Sequence, residues 1–262
     1  MKIVYLGDVV ARAGREAVLA SIPYLKEHYA YQALIINLDN AAHGFGCSQK
    51  ICKQLLDAGV TAFVTGDHVW NQKEFLPFLD ECKRIVRPLN YADRLPGAGI
   101  KEIPLDNGQR LLLLEVVGRV FMEDVENPLV VTDKALEKYT LAKNTDAIFI
   151  DVHAEATAEK QAFARYFDGR VSAVIGSHTH VPTADVVILP KGTAYQTDAG
   201  MCGDYNSVIG FEIQAPIERL KDENSPHRLE PASGKGTICG TFIETDDKTG
   251  LAVKIEAIKF QP

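Results

Sequence analysis

The residues with the most chemistry in this chain stand at the ends of apolar runs. Asp8 follows KIVYLG, Asp39 and Asn40 close off ALIINL, and Asp67 and His68 follow TAFVTG. Further on, His153 follows AIFIDV, and His178 and His180 follow SAVIGS as HTH. These five places collect three carboxylates, one amide and four of the seven histidines. Imidazole suits zinc, iron, manganese, nickel or copper, whereas carboxylate and carbonyl oxygens suit harder cations such as manganese and magnesium. A mixed nitrogen and oxygen set points to a transition-metal hydrolase. Asp8, Asp39, Asn40, Asp67, His153, His178 and His180 are too many ligands for one tetrahedral zinc. They suffice for two ions sharing one carboxylate, a pair that at ~3.5–4 Å clamps a phosphoryl group and activates a water. Taken singly the residues are ordinary. An aspartate after a strand caps turns and helices, His68 alone reads as a hydrogen-bonded loop residue, and HTH arises by chance. The force lies in the joint placement. His28 and His43 read as surface residues, His43 at most as a contact on the rim.

In open α/β sheets ligands bind outside the carboxyl ends of strands, which is where these residues stand. Ile3–Leu6, Ala33–Leu38 and Thr61–Thr65 read as strands, alternating with helices over Gly14–Tyr29, Ser48–Ala58 (Ser48 its cap) and Gln72–Leu79. This rhythm predicts helices packed around a largely parallel sheet. The middle is more β-like: Gly99–Pro104 and Arg110–Val117 flank Asp106-Asn107-Gly108, a strong turn signal. A helix is expected near Thr132–Lys143, a strand at Ala147–Val152, a helix over Glu155–Phe167 and a strand at Val171–Gly176. Val186–Leu189 and Thr193–Thr197 form a short hairpin, and the tail adds strands near Gly236–Glu244 and Val253–Phe260 after a polar surface loop, Lys221–Lys235. The expectation is one α/β domain over residues 1–262, with two sheets or one mixed sheet.

Composition narrows the function. A formal net charge of -7 gives no field that would gather a long polyanion, so no extended nucleic-acid surface is expected. A short phosphate ester remains open, with bound cations supplying the positive charge. The five cysteines are odd in number and lack CxxC spacing, so they read as buried thiols in a reducing compartment. No run approaches the ~20 apolar residues of a membrane span, and the apolar stretch before Asp8 is too short for a secretory core. A cytoplasmic chain is expected, with no membrane partner; a homo-oligomer stays open.

GDVV at the N-terminus, NAAHGFG at 40–46, GDHVW at 66–70, GRVFM at 118–122, HAEAT at 153–157, GRVSAVIGSHTHVPTAD at 169–185 and GTAYQTDAGM at 192–201 together resemble the YmdB-like bacterial metallophosphoesterases of the calcineurin-like superfamily. The motifs occur in order through most of the chain, and the last sixty residues are the least diagnostic. The resemblance implies a four-layer αββα sandwich with mixed sheets and a dinuclear centre. It also implies phosphodiesterase activity that extends to 2′,3′-cyclic nucleotides. Carried over by motif, Asp8 and His180 would bind the first metal with Asn40 assisting, and Asp39 would bridge. Asp67, His153 and His178 would bind the second metal, and His68 would donate a proton to the leaving oxygen. Three positions depart from the pattern. The superfamily's histidine two residues after the first aspartate is here Val10, as in this family; the usual glutamate before Asn40 is Asp39; and the usual asparagine before the catalytic histidine is Asp67, which adds a negative charge.

The expected chemistry is in-line attack of a metal-bridging hydroxide on phosphorus, with two divalent or mixed-valence transition-metal ions, Fe or Mn, and His68 as general acid. Neither a GxSxG elbow nor a P-loop suggests another route. Two rivals stay open: a phosphomonoesterase or nuclease of the same fold, and a regulatory metal- or nucleotide-binding protein with little turnover.

Overall fold

Runs that are apolar at successive positions suit strands covered on both faces. They are used that way in the computed structural model, which describes residues 1–92 and 94–262. One seven-stranded sheet contains β1 (Lys2–Leu6), β2 (Asp8–Val9), β3 (Ala33–Asn37), β4 (Ala62–Val64), β11 (Met201–Asp204), β12 (Gly236–Thr245) and β13 (Ala252–Phe260). The other, six-stranded, contains β5 (Ile100–Pro104), β6 (Arg110–Val117), β7 (Ala147–His153), β8 (Ala173–Ser177), β9 (Val187–Ile188) and β10 (Ala194–Gln196). The first runs β2-β11-β12-β1-β3-β4, with β13 on β12, and the second β5-β6-β7-β8-β10-β9. Six α-helices are described: α1 (Ala11–Tyr29), α2 (Gln49–Asp57), α3 (Leu76–Glu81), α4 (Pro128–Leu136), α5 (Thr157–Phe167) and α6 (Gln214–Lys221).

Alternation along the strands divides the core into three. Ile3 and Tyr5 of β1 meet Leu111 and Leu113 of β6 and Phe149 of β7 between the sheets. Val4 and Leu6 turn the other way, onto Val18 and Leu25 of α1 and Leu55 of α2. Leu112 and Leu114 face outward from the second sheet, against Phe163 and Phe167 of α5 and Leu136 of α4. The layers are therefore helix, sheet, sheet, helix, the αββα sandwich. Each of these fully buried side chains contributes about 1.5–3 kcal/mol relative to an exposed one.

The expectation of a largely parallel sheet is corrected. β1, β3 and β4 are parallel, but β12 pairs antiparallel with β1 and separates it from β11. Both sheets are mixed, since β5 is antiparallel to β6 and β9 to β10. The helix expected near Thr132–Lys143 runs instead over Pro128–Leu136, where Asn127 accepts from Leu129 N and Pro128 sits in the first turn. The one expected at Gln72–Leu79 opens as a 3-10 turn, Lys73–Phe75, before α3. Ser48 caps α2 as its sequence suggests, accepting from Ile51 N. All five cysteines are buried free thiols.

Candidate metal centre

Asp8 leaves β1 through Gly7, where any Cβ would stand 1.8 Å from the Gly200 carbonyl oxygen. Only glycine permits this approach, which brings Asp8 N within 3.2 Å of Gly200 O. Asp8 is fully buried. One carboxylate oxygen accepts from His178 N at 3.1 Å, and Oδ1 has no hydrogen-bond partner. Burial pushes its pKa up, with His180 and His153 opposing and Asp198 and Asp39 reinforcing.

Asp39 and Asn40 follow β3. The Asn37 side chain accepts from Asp39 N at 2.8 Å and fixes the turn. Asn40 Nδ2 donates to Gly44 O at 3.0 Å, so its Oδ1 is aimed at His180. Asp67 and His68 begin a 3-10 turn after β4, entered through Gly66 at φ 63°. A Cβ there would fall 2.1 Å from Asp39 Oδ1. Asp39 Oδ1 accepts from His68 N at 2.8 Å, and Oδ2 pairs with His68 Nδ1 at 2.6 Å.

The histidines come from the second sheet. His153 ends β7 and is fully buried; His178 and His180 follow β8 at φ 90° and 64°, backbone that costs non-glycine residues free energy. Two of the rings are set by a hydrogen bond at the other nitrogen, the arrangement that orients metal-ligating histidines. His180 Nδ1 donates to Ile209 O at 2.8 Å. His153 Nδ1 donates to Ser177 Oγ at 2.9 Å, and that hydroxyl donates in turn to Asp151 Oδ1 at 2.7 Å. His178 Nε2 lies 3.3 Å from Glu155.

The inward-facing atoms form the test for a cation. With Nδ1 committed as a donor, a neutral ring presents a lone pair at Nε2. His180 Nε2 then faces another acceptor, Asn40 Oδ1, at 3.0 Å, and His153 Nε2 faces Asp67 Oδ1 at 2.9 Å. His178 Nδ1 is 3.1 Å from His153 Nε2. Acceptors converging on acceptors require protons or cations between them. Two clusters have ligand-forming reach, Asp8–Asp39–His153 and Asp67–His153–His178, and Asp39 also groups with Asp67 and His68. His153 is common to the first two, and Asp39 links the Asp8 cluster to Asp67 and His68. Donor chemistry, orphaned oxygen and shared carboxylate all fit a dinuclear centre.

The electrostatics reflect the negative charge gathered here. Burial would neutralise His153, but the charges of Asp39, Asp67 and Asp8 raise its pKa well above the ordinary value. His178 is lowered to about 4, by burial first and then by His153. Against burial, the hydrogen bond and charge of His153, with His68 and His178, hold Asp67 below the usual carboxylate range. His68 is raised: burial lowers it, but the hydrogen bond and charge of Asp39 outweigh that.

All eight residues singled out in the sequence are thus brought together at one place. His43 is exposed, beside Arg12 and Pro231. Residues without an obvious motif role complete the site. Asp151 accepts from Tyr5 across the sheets and from Ser177, and Glu115 accepts from Thr65 N and Gly66 N at 2.9 and 2.6 Å. Their signal was a lone carboxylate in an apolar strand, as in LLLLEVV and AIFIDVH.

The sequence model described as "YmdB-like protein" matches residues 4–258. The chain belongs to the YmdB-like family. A Bacillus subtilis (strain 168) relative, a 2′,3′-cyclic-nucleotide 2′-phosphodiesterase, is 45% identical over 258 residues, covering 98% of this chain and 96% of that protein. A crystal structure of a hypothetical protein from Thermus thermophilus superposes with a TM-score of 0.92 at 39% identity, covering 100% of this chain and 99% of that one. A novel phosphatase from Mycoplasma pneumoniae superposes at 0.91 with 35% identity, covering 100% and 93%. This YmdB-like chain is a hydrolase. Among its described residues no helix is long and apolar enough to cross a membrane. GRVFM, one of its family-like segments, begins beside the centre, where Gly118 N donates to His153 O at 2.9 Å.

Proposed function

We propose that this chain is a metal-dependent phosphodiesterase acting on small phosphodiesters, with 2′,3′-cyclic nucleotides as its substrate class. The observation that carries the reading is the convergence of acceptor atoms from both sheets around Asp39. The Bacillus subtilis relative's activity supports the substrate class. In this reading residues 1–262 act as one metallophosphoesterase domain. Asp8 and His180, with Asn40, would hold one cation; Asp67, His153 and His178 would hold the second; Asp39 would serve both. Iron or manganese suits the mixed donors. When bound, the pair supplies Lewis-acid charge for the phosphoryl oxygens and the activated water.

The chain's own residues do the rest. Asp39 occupies Nδ1 of His68, so the ring's free Nε2 is the atom that meets substrate. The hydrogen bond and charge of Asp39 favour a proton on that ring, and Phe45 packs edge-on at 5.1 Å to steady it. His68 Nε2 donates this proton to the departing alkoxide, a contribution of roughly 10²–10⁴ in rate. Ser177 and the Ile209 carbonyl fix which nitrogen His153 and His180 turn inward, and Glu155 stands 3.3 Å from His178 Nε2.

Metal analysis and a cyclic-nucleotide assay on one preparation test the reading. About two transition-metal ions per chain and turnover of 2′,3′-cyclic AMP are expected. At most one ion after reconstitution defeats the dinuclear centre, and two ions without turnover favour the regulatory rival. His68→Ala should keep both metals and lose more rate on alkoxide leaving groups than on nitrophenolate, which needs no proton. Equal losses on the two would remove His68 as the acid.

A further inference from the structure

Beneath the HTH segment lies an ion pair with no part in the chemistry described so far. Lys160 on α5 and Asp198 are both fully buried, with Lys160 Nζ 2.9 Å from Asp198 Oδ2. We infer that this pair is the positioning device of the metal centre, holding the backbone at His178, His180 and Asp8 in ligating geometry. The inference rests on the dinuclear reading above.

The bonds fall on either side of the first histidine. Lys160 Nζ donates to Ser177 O at 2.6 Å, fixing the peptide that enters His178. Asp198 Oδ2 accepts from Thr179 N at 3.1 Å and from Thr179 Oγ1 at 2.7 Å, fixing the peptide that leaves it. The histidine so bracketed has left-handed backbone, at φ 90°, and so does His180 directly after Thr179, at 64°. Such conformations persist only where the surroundings over-determine them. The other oxygen, Asp198 Oδ1, accepts from Gly200 N at 2.8 Å, and Gly200 O accepts from Asp8 N at 3.2 Å. One carboxylate is therefore tied to the backbone of ligands assigned to both cations.

Stability alone does not call for an ion pair here. Replacing a buried pair by apolar groups of similar size is often neutral for folding, although removing one partner is damaging. What an apolar pair cannot supply is the acceptor for Thr179 and Gly200 or the donor for Ser177. Oriented outer partners of metal ligands typically set 10–100-fold in metal affinity. The expected signature is loss of metal affinity out of proportion to loss of fold.

The test is manganese titration, followed by electron paramagnetic resonance of the free ion, on the wild-type chain, Thr179→Val and the double variant K160M/D198L. Thermal unfolding with metal chelated is measured alongside. Thr179→Val removes one bond from the loop and leaves the ion pair buried, so it folds even where the double variant does not. It should bind manganese ~10-fold more weakly, and the double variant ~100-fold, with turnover partly restored by excess manganese and KM little changed. Wild-type affinity in Thr179→Val, with only its unfolding temperature lowered, would overturn the positioning role. A wild-type chain that binds no manganese, iron or other transition metal would instead sink the dinuclear reading itself, and the two failures are distinct.

Discussion

Asp8, Asp39 and Asp67 leave the first sheet, whereas His153, His178 and His180 leave the second. The two halves place their ligands by different means. Asp8 lies in extended strand, and Asp39 is held by an ordinary side-chain turn from Asn37. A carboxylate has two oxygens with several lone-pair directions, so modest precision suffices. A neutral imidazole offers one lone pair in one direction. The histidine half accordingly spends a hydrogen bond on the far nitrogen of His153 and of His180, through Ser177 and the Ile209 carbonyl, and sets Glu155 3.3 Å from the far nitrogen of His178. It also uses left-handed backbone at His178 and His180 to reach the centre. The acidic half should therefore be sensitive to the count and charge of its oxygens, and the histidine half to what stands behind the rings.

The most severe break should come from Asp39→Ala. Asp39 groups with Asp8 and His153 on one side and with Asp67 and His68 on the other, so one substitution removes the proposed shared ligand and the proton donor's anchor. Metal charge stabilisation amounts to several kcal/mol, so a loss of ~10³-fold in kcat/KM is expected. Elemental analysis should show occupancy falling to one ion or none. A variant that keeps full occupancy and most of its activity would take Asp39 out of the bridging position.

Ser177→Ala probes the other half. It leaves every proposed ligand in place and removes only the acceptor for His153 Nδ1, together with a donor to Asp151. Metal affinity should fall by ~10–100-fold, with activity recovering at high metal concentration. The matching change in the acidic half is Asn37→Ala, which removes the side-chain acceptor behind Asp39 N; it should cost less affinity. If Asn37→Ala weakens metal binding as much as Ser177→Ala, the contrast between carboxylate and imidazole placement does not hold.

The same contrast explains how much of the molecule is legible in its sequence. All eight proposed site residues are readable there, because each ends a strand whose apolar run marks it. The early β1–α1–β3–α2–β4 order is readable from periodicity. The partner of β1 is not, since pairing with β12, more than two hundred residues away, is set by tertiary packing. β11 escapes because MCGD is short and carries no alternation, and α6 because Ala215 is its one buried residue. Lys160 shows the limit most plainly. In Thr157–Phe167 it reads as a solvated helix residue, and only the position of Asp198 beneath the HTH turn makes it a buried one. Supporting residues are defined by partners far away in sequence, whereas ligands are marked by their own strand ends.

The smallest effect should come from Asp67→Asn, which changes charge in the acidic half without changing shape. Asp67 faces inward, with Oδ1 at 2.9 Å from His153 Nε2, so its charge lies at the centre and not in solvent. Its pKa is depressed, net of burial, by the bond and charge of His153 and by His68 and His178. A depressed carboxylate pKa means the group stays ionised until the pH falls below the usual carboxylate range, so it does not titrate across an ordinary assay. Its constant negative charge favours the protonated form of the hydrolytic water and raises that water's pKa. Removing the charge should move the acid limb of kcat to lower pH by ~1 unit, a rate gain of at most about tenfold below the limb. KM for an anionic phosphodiester should fall, since one repulsive charge is gone. The comparison needs matched metal content, because the same carboxylate favours metal retention. An acid limb that stays in place with both metals bound would mean that the acidic half contributes ligands but does not set the charge of the hydrolytic centre.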